Sequence, residues 1–321
     1  MSSSPRPAPR LLQTGPLVPS LAEPLNARYT VERLFDHPDP LTWLRAEGAR
    51  FDGIACSAGL GFSADLLPLL PALQVVSSYG VGLDKIPQDA LRARGIPLAT
   101  TGGVLDDCVA DAAWALLMAL GRRVVEADAY VRSGQWAQDG LNQFPLGRRI
   151  SGARLGVVGL GRIGQVVARR AAGFDMRVAY HSRRPVAGVP WRHEPDLCAL
   201  ARDSDFLVLI TAGGEATRHL VNAPVLEALG PRGYLINVAR GSVVDEAALL
   251  QALASGQIAG AGLDVFDNEP AISAAMRAAP RTLLMPHIAS ATEETRQAMA
   301  QRVIDNLDAW FERGELVSPA L

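Results

Sequence analysis

The sequence predicts an α/β protein of two domains, each built on a parallel sheet with helices on its faces. Three observations lead there. Residues 153–184 read as strand, glycine turn, helix and strand. From Leu11 to about Thr101, strand and helix signals alternate with short Gly/Pro turns. At 321 residues the chain is long enough for two full cores.

In chain order, Met1–Arg10 is rich in Ser and Pro and reads as a disordered tail. Leu11-Leu12 and Val18 lie near a first strand. Pro40–Gly48 reads as a helix, Phe51–Ser57 as a strand, and Asp65–Leu70 as a short helix. Leu73–Ser77 reads as a strand, Pro87–Arg94 as a helix, and Pro97–Thr100 as a short strand. Asp106–Trp136 is a long helical stretch interrupted near Gly121, with Cys108, Ala112, Leu116 and Leu120 at helical spacing. Pro145 and Gly147 make residues 138–150 an arm or linker. Arg154–Val158 and Met176–Tyr180 are strands flanking a helix over Gln165–Ala172. Phe206–Ile210, Tyr234–Val238, Ile258–Val265 and Leu283–Met285 are further strands, and Asp245–Ala254 a helix. Ser290-Ala-Thr-Glu293 has capping-box spacing and predicts a helix to about Phe311.

Composition narrows the function. A net charge of −2, from 31 basic and 33 acidic residues, implies no general attraction to nucleic acid or anionic lipid. The longest strongly apolar run, Ala112–Leu120, is too short to span a bilayer. Cys56, Cys108 and Cys198 are widely spaced and form no metal pattern; their odd number suits reduced thiols in a cytoplasm.

The most specific local signal is Gly159-Leu-Gly161-Arg-Ile-Gly164 between a strand and a helix. In such a unit the first glycine makes a tight turn, the second admits a pyrophosphate, and the third lets helix and strand pack closely. The helix-start amides then face the phosphates. This predicts a Rossmann dinucleotide domain, a doubly wound parallel sheet. An NAD-type site expects an acid about 20 residues past the first glycine. The chain has Ser182-Arg183-Arg184 there, and Asp175 lies before the strand. A hydroxyl and two guanidinium groups suit a 2′-phosphate; a solvated basic turn is the other reading. NADP(H) is the preferred cofactor on this pattern, with NAD(H) as the alternative.

Three charged residues follow strands in the second half: Arg240, Glu269 and His287. In an open α/β sheet, ligands bind beyond the carboxyl ends of the strands. Taken singly they also read as a surface charge, a turn residue before proline and a loop histidine. Together they suit reduction of a 2-oxo acid. Arginine grips the carboxylate and polarises the carbonyl, histidine supplies a proton, and the glutamate orients and charges the histidine. Ser78-Tyr-Gly-Val81-Gly82-Leu-Asp84, directly after a strand, offers backbone amides to a small anion or is an ordinary turn. Asp111, on the long helix, reads as a solvated or capping residue.

The chain resembles the D-isomer-specific 2-hydroxyacid dehydrogenase family over most of its length, from about Phe51 to Ala309. The matching motifs are Val81-Gly-Leu-Asp84, Val109-Ala-Asp111, Gly159–Gly164, Asn237-Val-Ala-Arg-Gly241, Gly262-Leu-Asp-Val-Phe266 with Glu269-Pro270, and Pro286-His287. The resemblance implies Arg240 as substrate-binding arginine, Glu269 as histidine partner and His287 as acid/base. It implies backbone amides of Val81 and Gly82 at the substrate carboxylate, with Asp111 in support. Arg162 and Ile163 would lie at the pyrophosphate, Ala239 near the cofactor, and Asp264 at the nicotinamide carboxamide. It further implies a dinucleotide domain, residues 104–286, inserted into a flavodoxin-like substrate domain, residues 11–103 and 287–321. A metal-independent homodimer follows, with residues 110–144 forming much of the contact and Trp136 at the partner's site. Within the family the chain is most similar to NADPH-dependent glyoxylate/hydroxypyruvate reductases. Reduction of hydroxyphenylpyruvate or 2-ketogluconate is the alternative, and Leu60, Tyr79, Trp136 and Phe144 are the candidate pocket residues. An enzyme acting on formate or phosphite, and a non-catalytic NAD(H)-sensing scaffold, are the rivals.

Overall fold

The structure, a computed structural model, describes residues 8–320. It divides into two compact units, one running to Leu105 and resuming at Ala291, the other spanning Asp106–Ser290. The expected boundaries were 103/104 and 286/287, so His287 falls in the second unit rather than the first. The expected tail, residues 1–10, lies outside the described residues up to position 7. Its last residue needs correction, because Arg10 opens the first strand.

In the first unit β1 (Arg10–Gln13), β2 (Thr30–Arg33), β3 (Gly53–Ser57), β4 (Val75–Tyr79) and β5 (Leu98–Ala99) form a parallel sheet in the order β2-β1-β3-β4-β5. That is a flavodoxin-like order. Its strands are short continuous apolar runs because both faces are covered. Leu11, Leu12, Ile54, Cys56, Val75 and Val76 have no exposed surface. Burial pushes the Cys56 thiol up to about 12, which makes it an inert core residue. Helices α1 (Pro19–Arg28), α2 (Pro40–Glu47) and α3 (Gln88–Ala93) make the crossovers. Asp39 caps α2 by accepting from the Thr42 amide, with Pro40 opening the helix. Sequence reading missed α1 and β2. Helix α1 carries two prolines and buries only Leu21 and Leu25. Strand β2 is a partly exposed edge with the sequence Thr-Val-Glu-Arg, charged as edges commonly are.

The second unit begins with α4 (Asp106–Gly121), α5 (Val124–Arg132) and α6 (Gln135–Asp139). The break expected near Gly121 occurs at Arg123, whose φ of 56° is left-handed. The sheet strands are β6 (Arg154–Val158), β7 (Arg177–His181), β8 (Arg192–His193), β9 (Phe206–Leu209), β10 (Tyr234–Asn237), β11 (Gly260–Leu263) and β12 (Thr282–Leu284). Connecting helices are α7 (Arg162–Arg170), α8 (Leu197–Arg202), α9 (Ala223–Leu229), α10 (Glu246–Ser255) and α11 (Ala274–Ala278). The order is β12-β11-β10-β9-β6-β7-β8, parallel throughout. The chain winds outward from β6 in one direction and then, from β9, in the other. The crevice where such a sheet binds ligands therefore lies beyond the ends of β6 and β9. Sequence reading missed β8, α8, α9 and α11, each of seven residues or fewer.

The last helix, α12 (Glu293–Arg313), returns to the first unit. The capping box expected at Ser290/Glu293 does not form. Thr292 is the cap, accepting from the Thr295 amide at 3.2 Å, and Glu293 is already helical. The cause is upstream: the Asp264 carboxylate takes the Ile288 and Ala289 amides, so Ser290 stands in a turn. After α12 the chain seals the free edge of β5. Ala320 N–H donates to Leu98 O at 2.8 Å, and buried Asn306 accepts from the Ser318 amide at 2.9 Å.

Candidate active site

The three loop glycines have three distinct physical reasons. Gly159 has φ +98°, and a Cβ there would stand 2.8 Å from Thr211 backbone atoms. At Gly164 a Cβ would lie 2.1 Å from the Gly159 carbonyl oxygen, so helix and strand pack backbone to backbone. A Cβ on Gly161 would meet nothing within 4 Å. Its space is open on the side where α7 begins, as a phosphate cradle requires. The residues present therefore fit a dinucleotide pyrophosphate. Arg162 and Ile163 open α7, and Arg162 stands 3.6 Å from Asp106.

Beyond β7, Ser182 Oγ donates to Arg184 O at 2.6 Å and shapes a tight turn. The ring nitrogen His193 Nε2 bonds Ser182 O at 2.9 Å and ties this turn to β8. Arg183 and Arg184 are exposed and form no ion pair among the described residues. Glu194, which follows β8, is engaged by Arg192 at 2.7 Å and by the Asp196 amide at 3.2 Å. Asp175 lies before β7, as expected.

At the other side of the sheet, Arg240, Glu269 and His287 follow β10, β11 and β12, three neighbouring strands. His287 Nδ1 lies 2.6 Å from Glu269 Oε2, and Glu269 Oε1 accepts from the Phe266 amide at 2.8 Å. Burial pushes the Glu269 carboxyl up. The hydrogen bonds from His287 and Phe266, with the charges of His287 and Arg240, outweigh it and hold the group below the usual carboxylate range. Glu269 is therefore held ionised and suits a hydrogen bond from Nδ1. His287 Nε2 has no partner among the described residues.

Asn237 shapes the arginine turn, accepting from the Ala239 amide and donating to Arg240 O, both at 3.0 Å. The Arg240 guanidinium donates to Ala239 O at 2.7 Å. A Cβ on Gly241 would fall 1.8 Å from the Phe266 carbonyl carbon. The turns bearing Arg240 and Glu269 thus touch backbone to backbone, which accounts for the Arg-Gly pair.

Asp264 was expected at a carboxamide. It is 1% exposed, and its carboxylate accepts from Ile288 N at 2.7 Å and Ala289 N at 2.9 Å. Burial outweighs these two bonds and leaves its carboxyl above the usual range. His287 N also donates to Asp264 O at 2.9 Å. These three bonds hold His287 at a left-handed φ of 54°, a conformation that neighbours must impose on a non-glycine residue. A carboxylate ending an apolar strand was the available sequence signal for this anchor; its partners were not legible.

Val81 and Gly82 belong to the first unit. Gly80, at φ +120°, exchanges hydrogen bonds with Thr101, and the amides of Val81 and Gly82 have no acceptor among the described residues. Asp111 is 71% exposed and pairs with Arg170 at 2.6 Å, a solvated α4–α7 ion pair. Leu60 and Trp136 are exposed, while Phe144 packs against Tyr130 and Arg123. Among the described residues no group of three or more His, Cys, Asp or Glu could hold a metal ion, and no helix is long and apolar enough to cross a membrane.

Two parallel-sheet units, one with a glycine loop that fits a pyrophosphate, define the class of two-domain dinucleotide-binding oxidoreductases. The family model for the D-isomer specific 2-hydroxyacid dehydrogenase NAD binding domain matches residues 114–289. A 2-ketogluconate reductase of Gluconobacter oxydans (strain 621H) is 43% identical over 98% of this chain and 99% of its own length. Glyoxylate/hydroxypyruvate reductase A of Arabidopsis thaliana is 39% identical, covering 97% and 98%. The crystal structure of an NADPH-dependent glyoxylate/hydroxypyruvate reductase from Sinorhizobium meliloti, in complex with NADP and malonate, superposes with a TM-score of 0.89 at 41% identity, covering 98% and 97%. The chain belongs to the D-isomer specific 2-hydroxyacid dehydrogenase family.

Proposed function

We propose that the chain reduces glyoxylate or hydroxypyruvate to the D-2-hydroxy acid with NADPH. The observation that carries this reading is the 2.6 Å pair of His287 and Glu269 beside Arg240, on neighbouring strand ends of the dinucleotide sheet. When bound, the nicotinamide supplies a hydride to C2 of the 2-oxo acid. Arg240 grips the carboxylate and polarises the C2 carbonyl, as a guanidinium fork that keeps its charge at every working pH. Val81 and Gly82 contribute amides to the carboxylate. His287 delivers its Nε2 proton to the developing alkoxide, and Glu269 favours the imidazolium that holds that proton. Asp264 keeps the His287 loop in place; its remaining lone pairs suit a carboxamide donor. Gly159, Gly161, Arg162, Ile163, Gly164 and Ala239 are assigned to the dinucleotide, with Ser182, Arg183 and Arg184 at a 2′-phosphate.

The direct test is kcat/KM for glyoxylate, hydroxypyruvate, phenylpyruvate and 2-ketogluconate with both coenzymes. The highest value for either of the first two with NADPH supports the proposal, and equal values with NADH reject the coenzyme preference. A higher value for 2-ketogluconate installs the second reading, favoured by the 43% identity to the Gluconobacter enzyme. Arg183→Ala weakens NADPH by about 1.5–3 kcal/mol through loss of one charge-assisted bond, while NADH binding stays as it was; titration of each coenzyme checks this. An unchanged NADPH affinity transfers the role to Arg184.

The pH dependence follows from Glu269. Its folded carboxyl lies below the usual value, so its stabilising contribution is present above the unfolded pKa and is lost as pH falls through the folded one. Glu269→Gln keeps an acceptor for Nδ1 and removes the charge. Reduction by this variant fades at lower pH than in the wild type, read from kcat/KM profiles of both; superimposable profiles refute the charge role.

A homodimer is part of the reading. No residue of α5 or α6 is buried, and Val124, Val125, Val131, Trp136, Leu141 and Leu146 are large apolar side chains left exposed along this arm. Sedimentation at micromolar concentration tests it. No disulfide joins Cys56, Cys108 and Cys198, and a cytoplasmic location is part of the reading.

A further inference from the structure

Within the first unit, a second cationic group stands at the carboxyl end of the sheet. Arg296, in the first turns of α12, holds its guanidinium carbon 5.8 Å from the Tyr79 ring centroid. It is half-buried and makes no ion pair or side-chain hydrogen bond among the described residues. Tyr79, the last residue of β4, is 5% exposed, and its hydroxyl is buried with no hydrogen-bond partner. At the end of β1 the Gln13 Oε1 is likewise buried without one. Leaving such a group unpaired costs about 1–3 kcal/mol, and groups left unpaired in a native fold call for a ligand or another explanation. A guanidinium over a ring face keeps its N–H edge available, with five donors in a fixed fork.

Tyr79 leads directly into the turn that carries the amides of Val81 and Gly82. One residue, Gly80, separates Tyr79 from Val81, a reach of at most ~7 Å along the chain. A carboxylate on those amides would leave the rest of a short acid within range of Tyr79 and Arg296.

We propose that Arg296, carried on Tyr79, is a specificity-determining residue that selects 2-oxo acids bearing a hydroxyl or carboxylate beyond C2 over those with a purely apolar chain. This rests on the 2-oxo acid reductase reading above. A site built to hydrogen-bond a substrate hydroxyl disfavours the analogue lacking it, because its own polar groups are then left unpaired.

Hydroxypyruvate and pyruvate, which differ by one hydroxyl, are the probe pair, assayed with NADPH on the full chain and on Arg296→Leu and Arg296→Lys. In the wild type kcat/KM favours hydroxypyruvate. Arg296→Leu lowers the hydroxypyruvate-to-pyruvate ratio by about 10- to 100-fold, chiefly through KM, and Arg296→Lys restores part of it. A ratio unchanged in Arg296→Leu, or an equal loss for both substrates, overturns the assignment while leaving the reductase reading intact. A wild type that turns over neither these acids nor glyoxylate overturns both.

Discussion

His287→Ala lowers kcat for glyoxylate or hydroxypyruvate reduction by about 10²–10⁴-fold, the usual worth of a positioned general acid, while the Kd for NADPH stays close to wild type. The split follows from the geometry. His287 lies beyond β12, whereas the glycine loop lies beyond β6, four places along the sheet. Its side chain is 46% exposed and, among the described residues, bonds only Glu269, so removing it opens no core cavity. Thermal unfolding and NADPH titration should therefore match the wild type. His287→Gln separates shape from acidity: it occupies the space and can still meet Glu269, but has no acidic proton near neutrality. A variant with near-wild-type kcat ends the assignment of His287 as proton donor.

Arg240→Ala reduces kcat/KM by about 10²–10⁴-fold, the sum of two charge-assisted hydrogen bonds at about 1.5–3 kcal/mol each. The loss appears mainly as a raised KM if the fork grips carboxylate equally in ground and transition states, and in kcat as well if it polarises the carbonyl. Arg240→Lys restores the charge without the fork and recovers only part of the loss. Arg240 also helps hold the Glu269 carboxyl low, so the alanine variant should lose its acid limb at a somewhat higher pH. That readout distinguishes a charge acting on the pair from a merely structural side chain. Equal loss of NADPH affinity would mean that the arginine supports the cofactor instead.

Much of the site was legible because its signals are local. The glycine spacing states its own turn and packing needs, and Gly159, Gly161 and Gly164 meet them one by one. Arg240, Glu269 and His287 stand out because each follows an apolar run that can only be a buried strand. Other elements were illegible for equally local reasons. Helix α1 contains Pro24 and shows little apolar face, and β8 is two residues long. The capping box at Ser290 failed because the Asp264 carboxylate, 24 and 25 residues before Ile288 and Ala289, had already claimed their amides.

The sequence by itself determined which chemical groups stand at the ends of which strands, since periodicity and turn chemistry act over a few residues. Only the tertiary structure decided that Glu269 meets His287 across 18 positions, that Gly241 lies against Phe266, and that Asp264 anchors the His287 loop. Those pairings depend on β10, β11 and β12 becoming neighbours. Neighbourhood in a sheet is set by the packing of the whole unit, which no short stretch of chain encodes.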